Sequence, residues 1–203
     1  MRLPADERRQ QLLAVACDLF ARSGYHDTSM DDIAEAAGVT KPVLYQHFPS
    51  KRALYIELLD DTGRRLLDRL AAATGRATSG RERVEAGFRA YFAFAVGDRS
   101  SFRLLFGASI RSDPDFARTV DEVVRAAADT ISTLIEIPTS DEQRRVLASA
   151  LVGMAEAVGR RALTDPDVDG DELAGWIAEF AWFGLRGVRA EEPISPASAS
   201  QLP

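Results

Sequence analysis

The sequence predicts an all-α chain of about nine helices, in which a small N-terminal helix-turn-helix domain precedes a larger helical body. Three observations predict it. Apolar residues recur at helical spacing through most of the 203 residues. No segment keeps the period-two alternation of a half-buried strand. Residues 28–55, TSMDDIAEAAGVTKPVLYQHFPSKRALY, hold two short helical runs separated by Gly38, with a further helix after Pro49.

The first helix is expected from Asp6 to Ser23, with Leu12, Leu13, Ala16, Cys17, Leu19 and Phe20 forming its apolar stripe. Gly24 stops it, as glycine just past a helix end commonly does. Thr28 or Ser29 caps the second helix, and Asp31 and Asp32 suit its positive end. Ile33, Ala34 and Ala37 point inward, Gly38 makes the turn, and Val39 packs between helices. Thr40 caps the third helix, with Pro42 in the first turn, where a missing N–H costs little. That helix ends near Phe48-Pro49, and Ser50 caps a fourth from Lys51 to about Ala73. The run TGRATSG, 74–80, breaks the chain. Further helices are expected at 81–97, 100–110, 114–136, 140–164 and 171–189. The tail from Glu191 to Pro203 is rich in Pro, Ser and Ala and is expected to be disordered. This gives a reader domain over 1–52, a body over 53–190 and a tail over 191–203, with helix 51–73 shared by the first two.

The composition, 46% hydrophobic and 28% charged, is that of an ordinary globular protein. No apolar run approaches the ~20 residues of a membrane span, and no apolar segment follows the charged start MRLPADERRQQ. Cys17 is the only cysteine. These features point to the cytoplasm. The net charge of −6 is unevenly placed. Residues 1–55 hold seven basic and seven acidic residues, leaving 18 basic and 24 acidic for the rest. A nucleic-acid reader here therefore depends on placed contacts rather than bulk charge.

The third helix has the form such a reader needs: short, supported on one side and free on the other. Val43, Leu44 and Phe48 supply the supported side. Thr40, Lys41, Pro42, Tyr45, Gln46 and His47 are left for the free side and the ends. Gln46 is suited to a base edge, and Lys41 to a guanine edge or a phosphate. Tyr45, His47 and Lys51 are suited to phosphate oxygens. Thr28 and Ser29 complete the set of candidate DNA contacts.

The run Thr28-Ser29, Asp32-Ile33-Ala34, Ala37-Gly38-Val39, Leu44-Tyr45, His47-Phe48 and Lys51, preceded by Gly24-Tyr25, resembles the N-terminal signature of the TetR family of bacterial transcription regulators. The match covers about 50 residues, and the remainder agrees in helical layout. The resemblance implies a homodimer, ligand-controlled binding to a double-stranded operator, and a Thr40–His47 helix that enters the major groove. It also implies that Tyr45, His47 and Lys51 are phosphate contacts. Pro42 departs from the glycine that many members carry, stiffening the helix start.

In the body, aromatics concentrate at Phe88, Tyr91, Phe92, Phe94, Phe102, Phe106 and Phe116. Most of them are ordinary core, but a ligand pocket needs similar lining. Phe88, Tyr91, Phe92, Arg103, Phe106 and Met154 are the candidate ligand contacts, and Arg89 and Glu156 are further polar candidates. The effector expected is a small apolar or amphipathic molecule. In 171–189, Leu173, Trp176, Ile177, Phe180, Trp182, Phe183, Leu185 and Val188 cover more than one helical face. Leu147, Ala150, Leu151, Met154 and Val158 form a stripe in 140–164, with the small residues Ala148, Gly153, Ala155 and Gly159 permitting close approach. These two helices are expected to meet their copies in a four-helix dimer interface centred on Leu147, Leu151, Met154, Val158, Trp176, Phe180 and Phe183.

The function expected is a ligand-responsive regulator, in the first instance a repressor released from a pseudo-palindromic operator. The alternatives are an activator, or a DNA-binding regulator without small-molecule control. An enzyme is disfavoured, because no Ser/His/Asp set, metal-spaced cluster or Gly-rich phosphate loop is present. No catalytic residue, metal ligand or cofactor is assigned.

Overall fold

The computed structural model describes residues 4–107, 113–165 and 167–188. The expected tail, 191–203, lies outside them, as do the ends of the 100–110 and 171–189 helices. Among the described residues every regular element is α-helical. They are α1 (Ala5–Asp27), α2 (Met30–Ala36), α3 (Lys41–His47), α4 (Lys51–Thr74), α5 (Gly80–Gly97), α6 (Arg99–Phe106), α7 (Pro114–Leu134), α8 (Asp141–Gly159), α9 (Arg161–Thr164) and α10 (Gly170–Gly187).

Gly24 breaks α1 rather than ending it. Its φ of 82° is non-helical, and a last turn then carries the chain on to Asp27. The expected 140–164 helix divides at Arg160 into α8 and the single-turn α9. Cap chemistry sets most other boundaries. Ser50, Ser79, Asp98, Asp113, Ser140 and Asp169 each accept a backbone N–H at the start of α4, α5, α6, α7, α8 and α10. Thr40 occupies the cap position of α3 without a side-chain bond, and Pro42 sits in the first turn.

The reader core is Leu12, Ala16, Ile33, Leu44, Phe48 and Leu54, all buried at 0–1% exposure. In the body, α10 packs along α5, α4 lies against α5 and α7, and α7 against α8. The α4–α7 crossing is close: a Cβ on Gly63 would sit 2.3 Å from Val123 Cγ2. Three elements join reader and body. One is α7, whose Phe116 ring lies 4.8 Å from that of Tyr25. Another is α4, whose 24 residues span about 36 Å. The third is α6, which packs on α1. There Cys17 Sγ lies 3.6 Å from Ser101 Oγ, and burial pushes the Cys17 thiol up to about 11.

Candidate nucleic-acid interface and effector cavity

The turn between α2 and α3 is fixed by backbone geometry. Gly38 takes φ 65°, a left-handed conformation that costs glycine little, and Val39 N donates to Ala34 O at 3.0 Å. At the start of α2, Ser29 and Asp32 form a reciprocal capping box. These bonds draw the Asp32 carboxyl below its ordinary range. Beneath, Leu44 and Phe48 anchor α3 in the core.

The opposite side of α3 is open. Thr40, Lys41, Pro42, Tyr45 and Gln46 are all exposed, Tyr45 by 43%, and His47 is half-buried. Lys41 pairs with Asp31 across the motif at 2.8 Å, with both side chains more than half exposed. An exposed pair of this kind is weak enough to be exchanged for a phosphate. Arg9 braces the far end of α3. Its Nη1 donates to His47 O at 2.8 Å, its Nε to Glu57 at 2.8 Å, and its guanidinium lies over the Phe48 ring.

Two of the expected contacts are placed differently. Thr28 is 2% exposed, and its hydroxyl donates to Gly24 O at 2.8 Å. It ties down the last turn of α1 instead of facing outward. Lys51 Nζ donates to the carbonyls of Tyr25 and Thr28 at 2.8 and 2.9 Å and lies 4.5 Å from the Tyr25 ring centre. Its ammonium locks α1 to α4, where carbonyls at a helix end attract a cation. Sequence spacing places a lysine near the surface but does not reveal that the chain supplies its acceptors.

The body holds a cavity of about 680 Å³, within the ~300–1,000 Å³ typical of small-molecule sites. Its walls come from α4 (Leu66, Leu70), α5 (Val84, Phe88, Tyr91), α6 (Phe106), α7 (Val124, Ile131), α8 (Leu151, Ala155) and α10 (Trp182, Leu185). Five charged side chains, Asp68, Arg83, Glu136, Glu156 and Arg186, interrupt this lining. Arg83 pairs with Glu136 at 2.6 Å, and Glu156 with Arg160. Of the expected ligand contacts, Phe88, Tyr91 and Phe106 line the cavity. Phe92 is fully buried outside that lining, its backbone facing Gly170. Arg103 is exposed and donates to Ala21 O, while Met154 is half-buried on another face of α8. Arg89 is also outside the lining, on the surface near Asp171. An aromatic cluster in sequence thus marks the region of the cavity without distinguishing its lining from the packing behind it. Wall residues on α7, such as Val124 and Ile131, carry no sequence signal that separates them from core.

The helices α8 and α10 present bare, chiefly apolar surface. On α10, Trp176, Phe180 and Phe183 are exposed by 57, 69 and 60%. Leu173, Ala174, Ala178, Ala181 and Leu185 on the same helix are buried. On α8 the exposed face is Val146, Ser149, Ala150, Gly153 and Ala157. Of the expected stripe this includes Ala150, and of the expected small residues Gly153. Leu151 turns into the cavity wall, and Leu147, Met154 and Val158 are half-buried against the core. The larger residues of α8 fill the chain's own interior, and its small ones are left outside.

No group of three or more His, Cys, Asp or Glu side chains suited to a metal ion occurs among the described residues. No described helix is long and apolar enough to cross a membrane.

Residues 12–58 match the family model of bacterial regulatory proteins of the tetR family, and residues 81–184 match a tetracyclin repressor-like C-terminal domain. The chain is 37% identical over 190 residues to the HTH-type transcriptional activator FasR of Mycolicibacterium smegmatis, covering 92% of this chain and 87% of that one. It is 28% identical over 195 residues to the HTH-type transcriptional repressor KstR2 of the same organism, covering 96% and 85%. A crystal structure of a TetR-like transcriptional regulator from Rhodococcus sp. RHA1 superposes with a TM-score of 0.77 at 31% identity, over 92% of this chain and all of that one. The open flank of α3 and the two matched domains lead to one conclusion: the chain belongs to the TetR family of DNA-binding transcription regulators.

Proposed function

We propose that the protein works as a homodimer on a pseudo-palindromic duplex operator and that a small apolar or amphipathic effector entering the body cavity releases it. The observation that carries the DNA half is the exposed Thr40, Lys41, Pro42, Tyr45 and Gln46 flank on a helix whose other side is sealed by Leu44 and Phe48. Gln46 reads a base edge, while Lys41, Tyr45 and His47 position the helix on the phosphates. Ser29 lies at the exposed start of α2, facing the backbone. Lys51 acts indirectly, by holding the last turn of α1 against α4.

The bare face of α10 supports the dimer. Three large apolar side chains exposed by more than half mark an association surface. The small residues on the outer face of α8 let a second copy approach closely. Two recognition helices related by a two-fold axis then meet half-sites about 34–36 Å apart, or farther in a wider dimer.

The cavity supports effector control. Leu66 and Leu70, in the second half of α4, line it, and the same helix begins at Lys51 against the reader. A ligand that shifts α4 therefore changes the spacing of the two readers. A coupling of ~1–3 kcal/mol weakens operator binding by ~5–150-fold. The sign of regulation is a property of where the operator lies relative to the promoter, since repressor and activator dock alike. We assign the reader to residues 1–52 and the sensing and pairing body to 53–190, with α4 common to both. Work on chromosomal DNA places the protein in the cytoplasm.

Selection of bound duplexes from a random pool tests this reading. Enrichment of an inverted repeat with half-sites one turn or more apart is expected. Enrichment of single, unpaired half-sites would overturn the dimer.

A further inference from the structure

Among the described residues, Tyr91 Oη is the one buried side-chain polar atom without a hydrogen-bond partner. Native proteins pair the large majority of such groups, because a sealed, unpaired donor is costly. The ring cannot easily turn to find a partner. It is held edge-on by Phe92 and Phe102 at 5.5 and 5.9 Å between centroids and lies 6.2 Å from Phe106. It also lies close against the last turn of α8: a Cβ on Gly159 would come within 2.9 Å of Tyr91 Cε1. The same ring lines the effector cavity, beside Glu156.

We propose that Tyr91 is the polar anchor of the effector: its hydroxyl donates to a neutral carbonyl oxygen, as in an ester or ketone, at one end of an otherwise apolar molecule. This rests on the effector-cavity reading above. The hydroxyl acts as a donor, since burial holds it protonated well above the ordinary phenol range. The group it meets is neutral because Glu156, already paired with Arg160, lines the same wall. A carboxylate brought to this spot meets a negative neighbour. The remainder of the molecule is apolar, because the walls around it are chiefly Leu, Val, Ile and Phe. An effector held at Tyr91 also lies beside Phe106 of α6, the helix that packs on α1 of the reader.

The test is displacement of Nile red from the full-length protein by methyl decanoate, decanoate and decane, in wild type and Tyr91→Phe, with the melting temperature of each. In wild type, methyl decanoate should act at concentrations about threefold to tenfold below decane, the range one hydrogen bond confers, with decanoate weaker than the ester. In Tyr91→Phe the preference for ester over decane should vanish, and the melting temperature should hold or rise, because the atom removed has no partner. Three results would overturn the proposal and leave the cavity reading standing: an ester preference that survives in Tyr91→Phe, decanoate outcompeting the ester in wild type, or a fall in the melting temperature of the variant. Failure of all three probes to displace the dye from wild type would overturn the cavity reading and the proposal with it.

Discussion

The reader and the body solve opposite problems with the same helices. In the reader, the polar groups that hold the motif together have designated partners. Ser29 and Asp32 satisfy each other, Lys51 takes up the carbonyls at the end of α1, and Arg9 joins α1, α3 and α4. The flank of α3 is left open. The body is loosely filled by comparison, with a 680 Å³ cavity, an unpaired phenol in its wall and three large apolar side chains outside. A surface that docks on a regular duplex gains from rigidity, whereas a sensor must leave interactions for its partners to complete. In both regions function is found where the fold leaves something unfinished.

That contrast can be broken at several points. The largest effect is expected from Phe180→Glu on α10. A carboxylate in a buried apolar seam costs at least ~3 kcal/mol per copy, so light scattering should show a monomer at micromolar concentration. A dimer that persists would mean this face has another occupant. Next is Leu44→Ala, beneath the recognition helix. A fully buried leucine truncated in a rigid core costs about 2–5 kcal/mol, read as a lower urea midpoint. A smaller loss would show the reader to be more yielding than its bonds suggest. Removing the Ser29 hydroxyl (Ser29→Ala) should cost about 1 kcal/mol in the same assay.

The smallest effect concerns acid. Arg52 donates to Asp113 and Asp115 at the start of α7 and lowers the Asp113 carboxyl to about 2 from 3.8. A depressed carboxyl stabilises the fold above its unfolded value, and that contribution fades as pH falls from about 4 to about 2. Arg52→Ala should therefore flatten the stability profile over this window and leave its shape near neutrality unchanged. An unaltered acid limb would show that the clamp is not formed in solution.

Much of the reader was legible in the sequence because its determinants are local. Gly38, the Ser29 and Ser50 caps and the inward Ile33, Leu44 and Phe48 lie within a few residues of what they shape. The bonds of Thr28 and Lys51 are not legible in the sequence because their partners are backbone carbonyls, which leave no trace in residue identity. In the body, helix existence followed from periodicity, but rotation about the axis did not. Of the expected outer stripe, Leu147, Leu151, Met154 and Val158 pack toward the interior, while Ala150 faces outward with Val146, Ser149, Gly153 and Ala157. From Val146 to Gly159 the helix has no charged face by which to orient it, and packing against α5, α7 and α10 decides. Likewise, Phe88 and Phe92 lie one turn apart on the same side of α5 with their rings stacked at 6.2 Å, yet of the two only Phe88 lines the cavity.

The central claim is that the open flank of α3 reads DNA, and a gel-shift titration of Lys41→Ala and Gln46→Ala on a selected duplex, over a range of salt, tests it most directly. Lys41→Ala should weaken binding to all duplexes and lower the salt slope by about one, as loss of one phosphate contact does. Gln46→Ala should cost about 1–3 kcal/mol on the selected duplex and relax the choice of base at one position. Wild-type affinity, slope and sequence preference in both variants would contradict the account.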